Sequence, residues 1–211
     1  MIKFKKISLQ IGGQVIFENF SGKFLPSDVI FVKGKNGSGK TSLLKIVANL
    51  LTPSKGTITL GVNDIPISEA LQPYCVYIAS KDPIQLDFTV SENIRFWISI
   101  YNSENNLTNI VKNFGIEKIL EKRCKTLSSG NLKKISLIRF YIAETHLYLL
   151  DEVETHLDSD NLNILYKIIQ QKSQKGYIGF IATNLKPFLS YNKLIYIKNK
   201  KIFIGTDAAN I

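Results

Sequence analysis

The order of apolar and polar positions predicts strands that alternate with helices along most of the chain. Apolar and polar residues alternate at residues 3–10 and 15–24, which predicts two antiparallel strands with one solvated face each. Continuous apolar runs, such as the one at residues 29–32, are typical of strands buried on both faces. The strands predicted after the first two lie at residues 29–32, 57–60, 74–79, 147–150 and 177–182.

Apolar residues at helical spacing predict helices between these strands. The predicted helices lie at residues 42–51, 90–101, 103–121, 128–144 and 159–172, and Gly115 breaks the third. Strands that alternate with helices indicate an α/β fold with a mostly parallel sheet, here with an antiparallel β subdomain at the start. The middle helices form a helical subdomain at about residues 88–140. No repeat or low-complexity linker interrupts the pattern, so residues 1–211 are expected to form a single domain.

A glycine-rich segment between the first buried run and the first helix fits the pattern of a phosphate-binding loop, or P-loop. Residues 34–41, GKNGSGKT, satisfy G-x-x-x-x-G-K-[ST] in the required context. The glycines let successive N–H groups face one anion, and the helix N-terminus adds partial positive charge. We expect Lys40 to contact the β- and γ-phosphates of ATP, and Thr41 to ligate Mg²⁺. The predicted nucleotide-binding residues here are Gly34, Lys35, Asn36, Gly37, Ser38, Gly39, Lys40, Thr41 and Ser42.

Two carboxylates, Asp151 and Glu152, follow the buried run at residues 147–150. A P-loop needs a second metal-side carboxylate at the end of a neighbouring strand, and Asp151 is expected to supply it beside Thr41. Glu152 stands where it can polarise a water in line with the γ-phosphate, which predicts a catalytic role. The alternative is that both carboxylates only cap the strand.

Residues 127–131, LSSGN, precede a long predicted helix and offer hydroxyl and N–H groups at its N-terminus, a second anion site. Between the P-loop and Asp151, this segment resembles the LSGGQ signature of ABC-type ATPases. Residues 152–158, EVETHLD, resemble their D-loop. The resemblance spans essentially the whole chain. It implies a P-loop NTPase of ABC ATPase type, in which two copies, or one copy and a homologue, hold ATP between the P-loop of one chain and Ser128 and Gly130 of the other.

Within the ABC ATPases, the chain resembles the ATP-binding subunit of the haem exporter used in cytochrome c maturation, the CcmA family. The resemblance rests on residues 77–79 (YIA), 87–97 (DFTVSENIRFW) and 127–139 (LSSGNLKKISLIR). It implies an ATPase at the cytoplasmic face of the inner membrane, peripheral to it, with CcmB/CcmC-like membrane-spanning subunits as partners. The implied work is haem delivery to apocytochromes.

Aromatic residues in the helical subdomain suggest where such a partner would dock. Phe96, Trp97 and Tyr101 would form the surface that receives a coupling helix of the membrane-spanning subunit. The alternative is that these aromatics simply pack the subdomain.

Several residues depart from the family pattern. Ser80 stands where most ABC ATPases carry the Q-loop glutamine, and Asn184 stands where they carry the switch histidine. Asn184 is therefore a candidate catalytic residue. The adenine-stacking place falls near Ile11, where no aromatic residue stands, and Phe17 is the available substitute. The changes at positions 80 and 184 predict slow turnover with nucleotide binding retained.

The net charge of +10 accompanies an excess of lysine spread along the chain, so we interpret it as composition and expect no nucleic-acid partner. The lysine-rich residues 3–6 and 193–201 are interpreted as solvated strand faces. Cys75 and Cys124 form no metal-ligand pattern and receive no function. No apolar run approaches the roughly 18 to 20 residues that span a bilayer, and the start lacks a signal-peptide pattern.

Two other functions stay open from the sequence. The first is a nucleotide-responsive structural subunit that binds ATP but hardly hydrolyses it, argued from Ser80 and Asn184. The second is an ABC ATPase that serves another substrate, with a soluble nucleic-acid-directed ATPase as its extreme form. The single short cassette argues against that extreme, because such proteins usually carry two cassettes or long insertions.

Overall fold

A computed structural model describes residues 1–71, 73–79, 84–155, 157–183 and 192–205, and it has the α/β fold that the pattern predicts. The strands are β1 (Ile2–Ile11), β2 (Gln14–Phe24), β3 (Val29–Gly34), β4 (Lys55–Leu60), β5 (Ile65–Pro66), β6 (Cys75–Ala79), β7 (Leu147–Asp151), β8 (Ile178–Ala182), β9 (Lys193–Lys198) and β10 (Lys201–Gly205). The α-helices are α1 (Lys40–Val47), α2 (Val90–Ile100), α3 (Leu107–Phe114), α4 (Ser129–Ile142) and α5 (Ser159–Gln174).

The strands form a mostly parallel sheet and an antiparallel sheet. The first has the order β10-β9-β3-β8-β7-β6, in which the neighbours from β9 to β6 pair in parallel and β10 pairs antiparallel to β9. The second has the order β2-β1-β4-β5, with antiparallel pairing throughout. Because β3, β7 and β8 run in parallel, their carboxyl ends meet at one edge, and that edge carries the P-loop and Asp151.

The core lies on both faces of the parallel sheet. Leu149 packs with α1 and the antiparallel sheet, while its neighbour Leu150 packs with α2, α3, α4 and α5 on the other face. Successive side chains of a strand point to opposite faces, so a strand covered on both sides needs apolar residues at every position. This explains the continuous apolar runs of β3, β7 and β8.

Two predicted helices are shorter than their apolar patterns suggested. Helix α1 ends at Val47 because Asn49 adopts a left-handed φ of 56°, and the N–H of Leu50 donates back to the carbonyl of Lys45. Leu50 is therefore exposed and does not belong to the buried helix face. Helix α3 spans only Leu107–Phe114 and ends at Gly115, which has a φ of 58°. After Gly115, one short 3-10 turn at Glu117–Ile119 is the further helical structure in the predicted range.

The interpretation of residues 193–201 as a solvated strand face is wrong for β9. This strand lies beside β3, and its Leu194, Ile195 and Ile197 are buried. The Nζ atom of Lys193, the first residue of β9, lies 2.7 Å from Oδ2 of Asp28, so the two side chains form an ion pair. Lys3 on β1 agrees better with the prediction, because it pairs with Asp64 at the surface.

Among the described residues, none of the helices has both the length and the apolar content that crossing a bilayer requires.

Candidate nucleotide-binding and catalytic site

The P-loop joins β3 to α1 at the carboxyl edge of the parallel sheet. Gly39, just before α1, has a φ of 104°, and a Cβ atom there would lie 2.6 Å from Cγ2 of Ile16. Only glycine fits this combination of left-handed backbone and close packing. The loop is thus fixed by Ile16 from β2, and the N-terminus of α1 opens into a cavity.

The cavity at this helix N-terminus has a volume of about 330 Å³. The described residues that line it are Ile16, Asn36, Gly37, Gly39, Lys40, Thr41, Ser42 and Glu152. Most of the predicted loop residues therefore do surround one space, and Gly34, Lys35 and Ser38 are those without a described place on its wall. Phe17, the predicted substitute for adenine stacking, is fully buried, so that prediction is wrong; Ile16 faces the cavity instead.

Lys40 is the first residue of α1, and its side chain is buried. Its Nζ atom donates a hydrogen bond to the carbonyl of Gly34 at 3.1 Å and lies 3.8 Å from Oε1 of Glu152. An ammonium group has three N–H donors, and a buried charge needs an opposite charge close by. The donors of Lys40 that remain suit an anion in the cavity.

Ser38 gives an independent indication that the loop fits phosphate. Its Oγ atom is buried and has no hydrogen-bond partner among the described residues. Burying an unsatisfied hydroxyl is unfavourable, and a phosphate oxygen would satisfy it. Together with the donors of Lys40 and the N-terminus of α1, Ser38 makes the loop a fitting receptor for the phosphates of ATP.

Thr41 and Asp151 meet although 110 positions separate them in the chain: Thr41 Oγ1 donates to Asp151 Oδ1 at 3.1 Å. The contact forms because β7 ends beside the P-loop edge. A hydroxyl and a carboxylate oxygen are hard ligands that suit Mg²⁺, which binds phosphates and water for the rest of its coordination. The residues present therefore fit the predicted metal position.

Tyr77 is a residue of this site whose role the sequence pattern does not predict. It lies on β6, which pairs with β7, and its hydroxyl donates to Oδ2 of Asp151 at 2.8 Å. Burial, followed by the contact with Asp151, raises the pKa of Tyr77 above its ordinary value, so the hydroxyl keeps its proton for this bond. The polar hydroxyl on a buried strand was the signal that could have identified it.

Glu152 follows the end of β7 in a left-handed conformation, with a φ of 52°. Its N–H donates to the carbonyl of Ala182 at the end of β8, at 2.9 Å. This turn directs the partly exposed carboxylate to the cavity wall opposite Lys40. A carboxylate in this position can accept a proton from a water beside bound phosphate.

The residues of the predicted signature lie apart from this cavity. Ser128 caps α4, and its Oγ atom accepts a hydrogen bond from the N–H of Asn131 at 3.3 Å. Ser128 and Gly130 are exposed and are not among the described residues that line the P-loop cavity. Ser80 and Asn184 lie outside the described residues.

The parallel sheet, the P-loop with its buried lysine and the Thr41–Asp151 contact define a P-loop nucleotide-binding protein. The ABC transporter family matches residues 17–155, which is well over half of the chain. The chain therefore belongs to the ABC transporter family as an ATP-binding ATPase subunit, a class that works with membrane-spanning subunits.

Known relatives and solved structures agree with this family. The chain is 34% identical to the cytochrome c biogenesis ATP-binding export protein CcmA of Rickettsia bellii, over 93% of this chain and 100% of that protein. It is 29% identical to the CcmA protein of Bradyrhizobium diazoefficiens, over 82% of this chain and 86% of the relative. A solved ATP-binding subunit of an ABC transporter superposes with a TM-score of 0.85 at 21% identity, covering 98% of this chain and 90% of that one.

Proposed function

We propose that the chain hydrolyses Mg·ATP to drive a membrane complex for haem export and delivery in cytochrome c biogenesis, with residues 1–211 as one ATP-binding domain. The similarity to CcmA proteins over almost the whole chain supports this role. The observation that carries the catalytic part is the contact of Asp151 with Thr41, which lines the P-loop cavity. It brings the predicted metal ligands to the same edge as Lys40.

The phosphates are held by the P-loop in this proposal. Lys40 gives its free donors to the β- and γ-phosphates, and Ser38 gives its unpartnered hydroxyl to a phosphate oxygen. Thr41 and Asp151 would hold Mg²⁺, which would supply positive charge beside the phosphates. The proposed binding residues are those of the loop from Gly34 to Ser42.

Glu152 is the proposed general base. Its pairing with Lys40 is long, at 3.8 Å, and a phosphate group would compete for the same ammonium. Glu152 then keeps a partly exposed carboxylate that can take a proton from the attacking water. Asn184 is proposed to donate a hydrogen bond from its amide to the γ-phosphate, in place of a histidine.

A second copy, or a paired ATPase, is proposed to complete the site. Ser128 and Gly130 lie at the exposed N-terminus of α4, where the capped helix end can accept an anion from outside the chain. ATP bound to one P-loop would then be covered by this helix end of the other copy. Each chain would contribute to two sites.

The membrane-spanning partner is proposed to dock on α2 from the cytoplasmic face of the inner membrane. Phe96 and Ile100 are each 45% exposed there, whereas Trp97 is 3% exposed and packs in the core. Trp97 therefore supports the subdomain, contrary to the prediction that it belongs to the docking surface, and Tyr101 also packs against that core. The exposed face around Phe96 is the proposed contact for a CcmB/CcmC-like subunit.

Substitution of Lys40 tests the phosphate assignment. Lys40→Ala should weaken MgATP binding about ten- to a hundredfold, because it removes the buried cation beside the cavity. Lys45→Ala on the exposed face of α1 is the matched control and should bind as the unaltered chain does. Titration calorimetry gives both affinities, and an unchanged affinity for Lys40→Ala contradicts the assignment.

Measurements of ATP turnover and of co-purifying partners test the rest of the proposed function. Glu152→Gln should keep MgATP binding and lose hydrolysis in the complex with the membrane partner. Purification of the chain from membranes should bring down a membrane-spanning subunit, and cells lacking the chain should lose covalently bound haem in c-type cytochromes. Normal c-type cytochromes in such cells would exclude the proposed substrate and leave an ABC ATPase serving another one.

A further inference from the structure

Glu154 is a buried acid two residues beyond the candidate base Glu152. It is 3% exposed, and its Oε1 atom accepts a hydrogen bond from the hydroxyl of Thr183. Its Oε2 atom is buried and has no hydrogen-bond partner among the described residues. Neither the P-loop cavity nor the predicted signature uses this side chain, so its burial beside the site needs an explanation.

The Thr183–Glu154 hydrogen bond joins the ends of two strands. Thr183 is fully buried directly after β8, and its N–H donates to the carbonyl of Val32 on β3 at 3.3 Å. The N–H of Glu152 donates to the carbonyl of Ala182, the last residue of β8. The side-chain bond of Glu154 therefore adds a second link between β8 and the turn after β7 that carries Glu152.

The surroundings favour the neutral form of this carboxyl. Burial is the main cause that raises the pKa of Glu154, and the charge of Glu152 raises it further. The Thr183 bond and the charge of Lys33 on β3 act in the other direction but are weaker than burial. From α5, Tyr166 faces the same group, and its own pKa is raised mainly by burial. An ionised carboxylate with a buried, unpartnered oxygen is costly, whereas the acid is tolerated.

We propose that Glu154 is a positioning residue for ATP hydrolysis, whose buried carboxyl ties the end of β8 to the turn that carries Glu152 by accepting a hydrogen bond from Thr183. The tie fixes the distance between Glu152 and the end of β8. Small displacements of a general base cost large factors in rate. The inference rests on the proposal that Glu152 is the base.

Three variants separate this role from simple packing. Glu154→Leu keeps the side-chain bulk but loses the acceptor, and Thr183→Val loses the donor. Each should lower kcat about ten- to a hundredfold while the KM for ATP stays within about threefold, because only positioning of the base is lost. Glu154→Gln is neutral and keeps an oxygen that can accept from Thr183, so it should restore kcat to within about threefold of the original rate.

The matched control is Thr145→Val. Thr145 is also a buried threonine, but its hydroxyl donates to the carbonyl of Leu147 at the opposite end of β7, at 3.0 Å. It should change thermal stability about as much as Thr183→Val and leave kcat unaltered. The double variant Glu154→Leu with Thr183→Val should be no slower than either single variant, because both remove the same link.

The pH profile gives a readout that packing alone would not move. In the original protein, kcat should fall as the pH rises through the raised pKa of Glu154, because ionisation puts a second negative charge beside Glu152. Glu154→Gln should lack this fall. Steady-state hydrolysis is measured with the full chain and its co-purified membrane partner, from about pH 5 to 9, a range that begins just above the ordinary glutamate pKa.

Distinct results overturn the inference and the function on which it rests. A Glu154→Leu chain that keeps the original kcat, a Glu154→Gln chain as slow as Glu154→Leu, or identical pH profiles for the original and Glu154→Gln proteins would each overturn the role of Glu154. Hydrolysis at the original rate by Glu152→Gln would instead show that the assignment of the base is wrong.

Discussion

The Tyr77 hydroxyl donates a hydrogen bond to Oδ2 of Asp151 at 2.8 Å, while the Thr41 hydroxyl donates to the other oxygen at 3.1 Å. Asp151 is thus held by side chains from β6 and α1. A carboxylate that is fixed by a neighbouring donor keeps its orientation toward a metal ion, and loss of such a donor weakens metal binding. Tyr77 therefore supports the proposed Mg²⁺ ligand from the side opposite to the P-loop helix.

Tyr77→Phe should weaken MgATP binding by about three- to tenfold, since one neutral hydrogen bond contributes about 0.5–1.5 kcal/mol. When a chelator removes Mg²⁺, Tyr77→Phe should bind ATP with the same affinity as the original chain. Tyr74→Phe is the control, because the Tyr74 hydroxyl donates to the carbonyl of Val47, away from the cavity. Calorimetry with and without Mg²⁺ distinguishes an effect on the metal position from an effect on the fold. An equal loss in both conditions would show that Tyr77 acts on the fold and not on the metal position.

Ser128→Arg should abolish ATP-dependent association of the Glu152→Gln chain without changing its affinity for MgATP. The exposed N-terminus of α4 is the proposed surface for the other copy's nucleotide, and arginine adds bulk there. The substitution also removes a helix cap, which costs about 1 kcal/mol of stability. Asn106→Arg removes the equivalent cap of α3 and controls for that loss. Light scattering that shows association in Ser128→Arg would exclude the ATP-sandwiched dimer.

Asn184→His should raise kcat about ten- to a hundredfold, because a protonated histidine donates a charge-assisted hydrogen bond to the γ-phosphate, whereas the asparagine amide donates a weaker neutral one. Histidine can donate this bond and can also become cationic, which asparagine cannot. Asn113→His on the exposed surface of α3 is the control. The rate of steady-state ATP hydrolysis by the assembled complex tests this prediction. A rate that stays constant or falls would show that Asn184 does not replace the switch residue.

The P-loop and the adjacent carboxylates could be predicted because their patterns are local. Residues 34–41 are recognised between a strand and a helix that the apolar pattern itself defines. The approach of Asp151 to Thr41 followed from the rule that parallel strands end at one edge. The roles of Tyr77 and Glu154 depend on the strand order β8-β7-β6, which a pattern of strands and helices does not determine.

The sequence pattern could not tell whether some individual side chains are exposed or buried. Phe96 and Trp97 are neighbours on α2, yet only Phe96 stays exposed, because α2 packs against α4 on one face. The lysine-rich pattern at residues 193–201 suggested solvent, but Asp28, 165 positions earlier, pairs with Lys193. Such long-range partners are set by topology, so local composition cannot reveal them.

Lys172 on α5 gives a prediction about stability and pH. It is 4% exposed, and its Nζ atom donates to the carbonyl of Ala143 at the end of α4. The amine lies 5.2 Å from the ring centroid of Phe140 and 5.4 Å from that of Tyr177. Burial lowers the pKa of Lys172 to about 8, against the weaker opposing charge of Glu144. The lysine therefore binds its proton less tightly in the folded chain than in the unfolded chain.

The sign of the pH effect follows from that difference. From about pH 8 up to the ordinary lysine pKa, the unfolded chain holds more protons than the folded chain, so Lys172 makes the free energy of unfolding rise with pH. Lys172→Met should lack this rise. Unfolding by urea should show the original chain gaining about 1–2 kcal/mol in free energy of unfolding, relative to Lys172→Met, between about pH 7.5 and 9.5.

Other groups do not account for this gain. Burial raises the pKa values of Tyr177 and Cys75, but both residues are present in both proteins, so the difference in free energy of unfolding between the proteins reports on Lys172. Lys175→Met, at an exposed lysine paired with Glu144, is the control; it keeps Lys172, so its stability should rise with pH as that of the original chain does. A constant difference across this range would mean that Lys172 binds its proton equally well in both states.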